Sequence, residues 1–287
     1  MKLAMAMSDN VLFDPALRTK RFARAKAIGF AGFLHERATD EIKERLNEVN
    51  RTFTSAVVIS EAPQIWGGLA DGAQLQAPSE VLELPQAAAD LVVHGLALHA
   101  MNDPVGQFVQ ARRALRADGL FLGVMFGEAT LHELRDALTS AEAEVRGGIA
   151  PRVAPMGDLR ALGGLLGRAG LALPVADSDR VTVTYASPLH LMHDLRAMGE
   201  TNPLAAQERG ALRRDVLARA LEIYAERYRD GAGGIRATFE TVYLTGWAPD
   251  PSQQKPLRPG SAQMRLADAL GTRETSAGET AGQKDET

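Results

Sequence analysis

Three short apolar runs constrain this chain more than any other feature: Thr54 to Ser60 (TSAVVIS), Asp90 to Leu98 (DLVVHGLAL) and Gly119 to Phe126 (GLFLGVMF). Each is rich in β-branched or bulky apolar residues, as expected of strands buried on both faces of a parallel sheet. A helix pattern over Gln107 to Arg116 separates the second run from the third. Strands that alternate with helices imply βαβ crossovers and a doubly wound α/β sheet. Asp118-Gly119 fits the turn from helix to strand, with Gly119 supplying the positive φ that ends a helix.

Upstream, Phe22, Ile28, Phe30, Phe33, Leu34, Ile42, Leu46 and Val49 recur at three- and four-residue intervals, which predicts one or two amphipathic helices between Pro15 and Asn50. Downstream, Glu128 to Val145 and Leu159 to Arg168 read as helices, the second closed by Gly170. Arg180 to Tyr185 and Ile235 to Trp247 read as antiparallel strands at one sheet edge. Pro188 to Met198 and Gln207 to Tyr228 read as helices capping the sheet's carboxyl edge. The expected organisation is a helical segment over 1–50, an α/β domain over 51–248 with a helical insertion at about 187–230, an extension over 249–270 and a tail over 271–287. That tail has no apolar residue larger than alanine, too little to order itself by burial.

Composition narrows the chemistry. With 32 Lys and Arg against 36 Asp and Glu, the formal charge is −4, so no global cationic field draws nucleic acid to the protein. Arg112, Arg113 and Arg116 read as a solvated helix face. The absence of cysteine removes disulfides, thiolate nucleophiles and cysteine-held metals. MKLAMAMSDN is too brief for a signal-peptide core, and no transmembrane run of about 18 apolar residues occurs. The expected compartment is the cytoplasm, or the surface of the inner membrane through a partner.

Ligands of such sheets bind beyond the carboxyl ends of the strands, where strand order reverses. A nucleotide site there uses a glycine turn that lets the backbone approach the ligand. This chain instead has SEAPQIWGGLADG: Pro63 lacks a donor, Trp66 stands where small residues are wanted, and Gly67 and Gly68 come late. Glu61 is a candidate for the acid that holds a ribose or amino group, with a solvated loop carboxylate as the plainer reading.

His99 is the candidate catalytic residue, since imidazole serves as acid or base near neutral pH. Packing against the sheet edge is the alternative. His94 and His99 lack a neighbouring carboxylate in sequence and make only a weak metal signal, so no metal is expected. His190 and His193 fit a polar helix face, and Glu128, His132 and Glu133 follow the third run toward a substrate region. Met192, Met198, Tyr224 and Tyr228 have the spacing of helical core positions, and Asn102 or Asp103 suits a helix cap.

Three blocks carry a resemblance: Glu83 to Leu138, the stretch GGIAPRVAPMGDLRALGGLLGRAGL, and HDLRAMGETNP with the later ATFETVYLTGW. LFDPALRTKRFARA and KPLRPGSAQMRLADAL add to it. Together they resemble the methyltransferase-like family of mitochondrial complex I assembly factor 5, related to the malonyl-carrier-protein methyltransferases of biotin synthesis. The resemblance implies a class I, Rossmann-like methyltransferase fold, S-adenosylmethionine as cofactor and a protein partner such as a respiratory complex I subunit. It also implies that Glu83, Leu84 and His94 lie on the cofactor's adenine side. The family pattern has an Asp-x-Gly-x-Gly-x-Gly loop where this chain has Ser60-Glu61-Ala62-Pro63. Between Ser55 and Asp90 the chain is short by roughly 25 residues against that pattern, close to the size of a βα unit, which removes the ribose-binding acid. Three functions follow as expectations: a methyltransferase of this type, a non-catalytic scaffold or pseudoenzyme keeping the fold, and an arginine-hydroxylase-like activity.

Overall fold

The computed structural model describes residues 11–49, 51–208, 210–231, 233–254, 264, 265, 268, 270 and 271. The chain divides into two compact units, Met1–Asp250 and Pro251–Thr287. The tail expected over 271–287 lies outside the described residues except for Gly271, as does most of the extension over 249–270.

The first unit is the expected doubly wound α/β sheet. Its strands are β1 (Ala56–Ile59), β2 (Gln74–Gln76), β3 (Ala89–Gly95), β4 (Leu115–Phe126), β5 (Ala172–Tyr185) and β6 (Ile235–Trp247), in spatial order β2-β1-β3-β4-β6-β5. β2, β1, β3 and β4 are parallel, and β6 runs antiparallel between β4 and the edge strand β5. Successive residues alternate faces. Val58, Val93 and Leu122 therefore join one core while Val57, Val92 and Phe121 join the other. Helices α2 (Phe33–Glu48), α5 (His132–Arg146), α7 (Pro188–Met198) and α8 (Arg214–Arg227) bury side chains in the first core. Helices α4 (Pro104–Ala114) and α6 (Leu159–Arg168) serve the second.

Local chemistry sets these elements. Asp14, Asp103, Asp158 and Ser187 each accept a hydrogen bond from a free N–H at the start of α1 (Pro15–Ile28), α4, α6 and α7. Asp103 is thus the cap of α4, while Asn102 bonds Phe13 and Glu80. Asp90 anchors β3 beside the start of β1, accepting from the N–H groups of Thr54 (2.8 Å) and Ser55 (2.9 Å). Between β1 and β3 the chain makes only α3 (Pro63–Trp66) and the three-residue β2, so the missing residues leave one turn and one stub.

Three expectations change in detail. Helix α4 ends at Ala114 and β4 begins at Leu115, so Asp118 and Gly119 lie inside the strand, and Asp118 carries the positive φ of 58°. β5 begins eight residues before Arg180, because pairing with β6 extends it. Of the two cap helices, α7 packs chiefly against α1, whereas α8 lies along α5 through Arg219–Glu144 and Arg227–Asp136 pairs. Among the described residues, no helix is long and apolar enough to cross a membrane.

Candidate functional site

Strand order reverses at β1, which feeds β2 on one side and has β3 on the other. The crevice beyond Ile59 and Gly95 is where such a sheet binds ligands. It is filled by this chain's own side chains. Helix α3 turns Trp66 inward to 0% exposure against Gly95, so closely that a Cβ on Gly95 would lie 2.6 Å from the indole Cε2. The indole N–H donates to His35 Nδ1 at 2.9 Å. That bond requires an unprotonated Nδ1, and burial accordingly pulls His35 down to about 4.

A second group closes the crevice from α1. Arg18, 5% exposed, grips Glu61 through Nε and through Nη2 at 2.7 Å, and its Nη2 also reaches the carbonyl of Leu96 at 3.4 Å. Leu96 holds a left-handed φ of 51°, a strained conformation for a branched side chain that marks this turn as tightly constrained. Glu61 is therefore an ion-pair partner inside the protein. The residues at this switch point do not fit an S-adenosylmethionine held there, because Trp66 and the Arg18–Glu61 pair occupy the space.

The remaining candidates separate. His94 is fully buried, donates from Nε2 toward Gln107 at 3.4 Å, and is pulled down to about 3 by burial. Gln107 in turn holds the carbonyls of Ser79 and Glu80, strapping that segment onto α4. Glu83 is exposed and Leu84 half-buried against the second core, so neither joins His94 or His99 in one pocket. Among the described residues, no three His, Asp or Glu gather as a metal site.

His99 lies elsewhere, in the floor of an open cavity of about 480 Å³ at the carboxyl end of β4. Its ring packs on Phe126 at 4.8 Å, its Nε2–H donates to Glu200 at 3.1 Å, and its buried Nδ1 has no partner. Burial opposes ionisation of Glu200, but His99 and Arg18 outweigh it and hold the carboxyl at about 2. Leu131 just before α5, Leu134 and Leu138 from α5, and Met192 and Leu195 from α7 make the walls apolar. Glu142, wholly buried, takes Arg146 and Arg152 and so fixes the loop that forms one side. Glu128, His132 and Glu133 do not line this cavity, and buried Glu133 instead binds Thr238. The sequence reading missed Arg18 and Glu200. Arg18 lay one helical turn before Phe22, over whose ring it stacks at 5.1 Å, and Glu200 followed the helix-ending Gly199.

The chain is 41% identical over 194 residues to "Arginine-hydroxylase NDUFAF5, mitochondrial" of Danio rerio, covering 68% of this chain and 60% of that protein. It is a methyltransferase-family protein of the NDUFAF5 type. It is also similar to malonyl-[acyl-carrier protein] O-methyltransferase: the Nitrosospira multiformis protein is 37% identical over 172 residues, covering 60% of this chain and 53% of that one. The chain thus spans 60% or less of the length of these two relatives. No family profile matches it. Solved structures similar to it include the YcgJ protein of a Bacillus (TM-score 0.47, 11% identity, 74% of this chain and 99% of that one). Another is the Haemonchus contortus phosphoethanolamine N-methyltransferase 2 in complex with S-adenosyl-L-methionine (TM-score 0.41, 12% identity, 81% and 57%).

Proposed function

We propose that this NDUFAF5-type chain acts as a non-catalytic binding and assembly protein: it holds a segment of a protein partner in the cavity beside His99 and works without S-adenosylmethionine. The observation that carries this reading is Trp66 seated against Gly95 at the switch point, with the cavity at β4 left open. Kinship with the NDUFAF5 proteins directs the search for the partner to respiratory complex I subunits. The partner, at the surface of the inner membrane or in the cytoplasm, determines where the chain works.

Titration calorimetry with S-adenosylmethionine and S-adenosylhomocysteine is expected to give no heat, while affinity capture from the source cell retains one protein in stoichiometric amount without cofactor. Saturable heat with either ligand would overturn the cofactor-free reading, and Glu61, Glu83, Leu84 and His94 would then be the residues to substitute first.

The unpartnered Nδ1 of His99 beside Glu200 favours a second reading in which the cavity is also catalytic, with His99 as base and Glu200 holding its ring. Methyl transfer, with S-adenosylmethionine supplied as methyl donor and the displaced proton passing to His99, would add one methylene to the captured partner. The hydroxylase activity in the relatives' name, with dioxygen and a two-electron reductant supplied and the second oxygen leaving as water, would add one oxygen. Mass spectrometry of that partner with and without His99→Gln distinguishes these outcomes from plain binding.

A further inference from the structure

The chain carries a formal charge of −4, yet among the described residues four guanidiniums line the cavity, those of Arg21, Arg24, Arg152 and Arg196, against two carboxylates, Glu200 and Glu208. The carboxylates are already engaged. Glu208 holds Arg146 and Arg152, and Glu200 is shared between His99 and Arg18.

Among the described residues, Arg21, Arg24 and Arg196 spend donors on neutral acceptors only. Arg21 binds the carbonyl of Thr201 at 2.8 Å and Gln207 Oε1 at 2.9 Å, Arg24 binds the hydroxyl of the same Thr201 at 3.4 Å, and Arg196 reaches the carbonyl of Met192 at 3.5 Å. Each guanidinium has five N–H donors, so most have no protein acceptor among the described residues. No carboxylate lies within ion-pair distance of these three among the described residues. Thr201 brings Arg21 and Arg24 side by side with Arg21 half-buried. Burial and the charge of Arg24 lower its hold on the proton, and Asp14 and Glu200 do not cancel them. Like charges held together at a partly desolvated site are stabilised by an incoming anion.

We infer that the cavity receives an acidic-apolar peptide segment of the partner. An Asp or Glu carboxylate meets Arg21, Arg24 and Arg196 at the rim, and a neighbouring apolar side chain enters among Leu134, Leu138 and Met192. This rests on the partner-binding reading and gives it a chemistry. The planar forks of arginine match carboxylates in two-point contacts. Leucine-rich walls supply the apolar half. A flat anionic lipid surface would use exposed Arg24 and Arg196 but leave half-buried Arg21 and the cavity interior unused.

The test is an array of random, end-capped heptapeptides probed with the full chain and with the double variant Arg24→Gln/Arg196→Gln. Both residues are exposed and outside the core, so the variant is expected to keep the unfolding curve of the parent. The expected result is several-fold enrichment of Asp or Glu beside Leu, Ile, Met or Phe, reduced tenfold or more in the variant. Enrichment of apolar residues alone would overturn this inference and leave partner binding standing. Enrichment of Lys or Arg, or retention of no peptide, would overturn it as well. Binding to phosphatidylserine vesicles that the double variant abolishes, without acidic enrichment on the array, would assign the arginines to a lipid surface and likewise end the inference. Failure of the underlying reading shows separately, as cofactor heat or as an empty affinity capture.

Discussion

Two places along one sheet edge have been treated in opposite ways. Beyond β1 and β3, where strand order reverses, the chain packs Trp66, His35, Arg18 and Glu61 into the crevice. Beyond β4, it keeps a cavity of about 480 Å³ with His99 in the floor. Filling one while preserving the other shows that the ligand-binding edge of this fold is divisible. A chain can fill one part with its own side chains and leave another part open.

The sharpest way to break that contrast is to empty the filled side. Trp66→Ala removes a fully buried indole and its bond to His35, and is expected to cost about 4 kcal/mol, measured by urea unfolding. A loss below about 1 kcal/mol would mean that the indole does not pack as described. Arg18→Leu comes next. It leaves Glu61 and Glu200 without their buried cation, which costs about 3 kcal/mol, as for other broken buried pairs. Peptide or partner capture should survive both substitutions at temperatures where the variants stay folded.

Acid probes the same side. His35 and His94 fall from 6.5 to about 4 and about 3 in the folded protein, so the unfolded chain binds protons first. Their contribution is complete above pH 6.5 and is lost as pH falls through these folded values. Glu200, lowered to about 2, acts in the same direction below its ordinary 4.5. Stability should therefore decline from about pH 6.5 downward. His35→Phe should shallow the slope of unfolding free energy between pH 6.5 and 4, and an unchanged slope would remove His35 from the account.

Closing the open side should have the smallest effect on stability. Met192→Trp narrows the cavity from α7 at a half-buried position. It should shift unfolding by less than about 1 kcal/mol while lowering partner capture roughly tenfold. Unchanged capture would place the partner elsewhere on the surface.

The layout was legible in the sequence wherever local chemistry decides it. Ser187 with Pro188 starts α7 and Gly199 stops it, and the β-branched and aromatic text of Ile235–Trp247 makes one strand. The shortened stretch and the awkward Pro63 and Trp66 also stood in plain view. The occupant of the crevice was not legible. His35 lies 31 residues from Trp66, Arg18 is 43 from Glu61, and Glu200 is 101 from His99. Such pairings follow from how α1 and α2 pack back on the sheet, which no periodicity records. The pair Asp118-Gly119 lies inside β4 rather than between helix and strand, and its left-handed φ falls on Asp118 instead of on the glycine beside it, a choice that no sequence pattern records.

The contact between Trp66 and Gly95 also limits the order in which this chain can change. A methyl group at 95 meets the indole at 2.6 Å, so Gly95→Ala should unfold the parent yet be tolerated in a Trp66→Ala background, a coupling that a double-mutant cycle reads directly. An open crevice at this point requires giving up the indole that now fills the core, so every route toward an open site begins with a loss of stability.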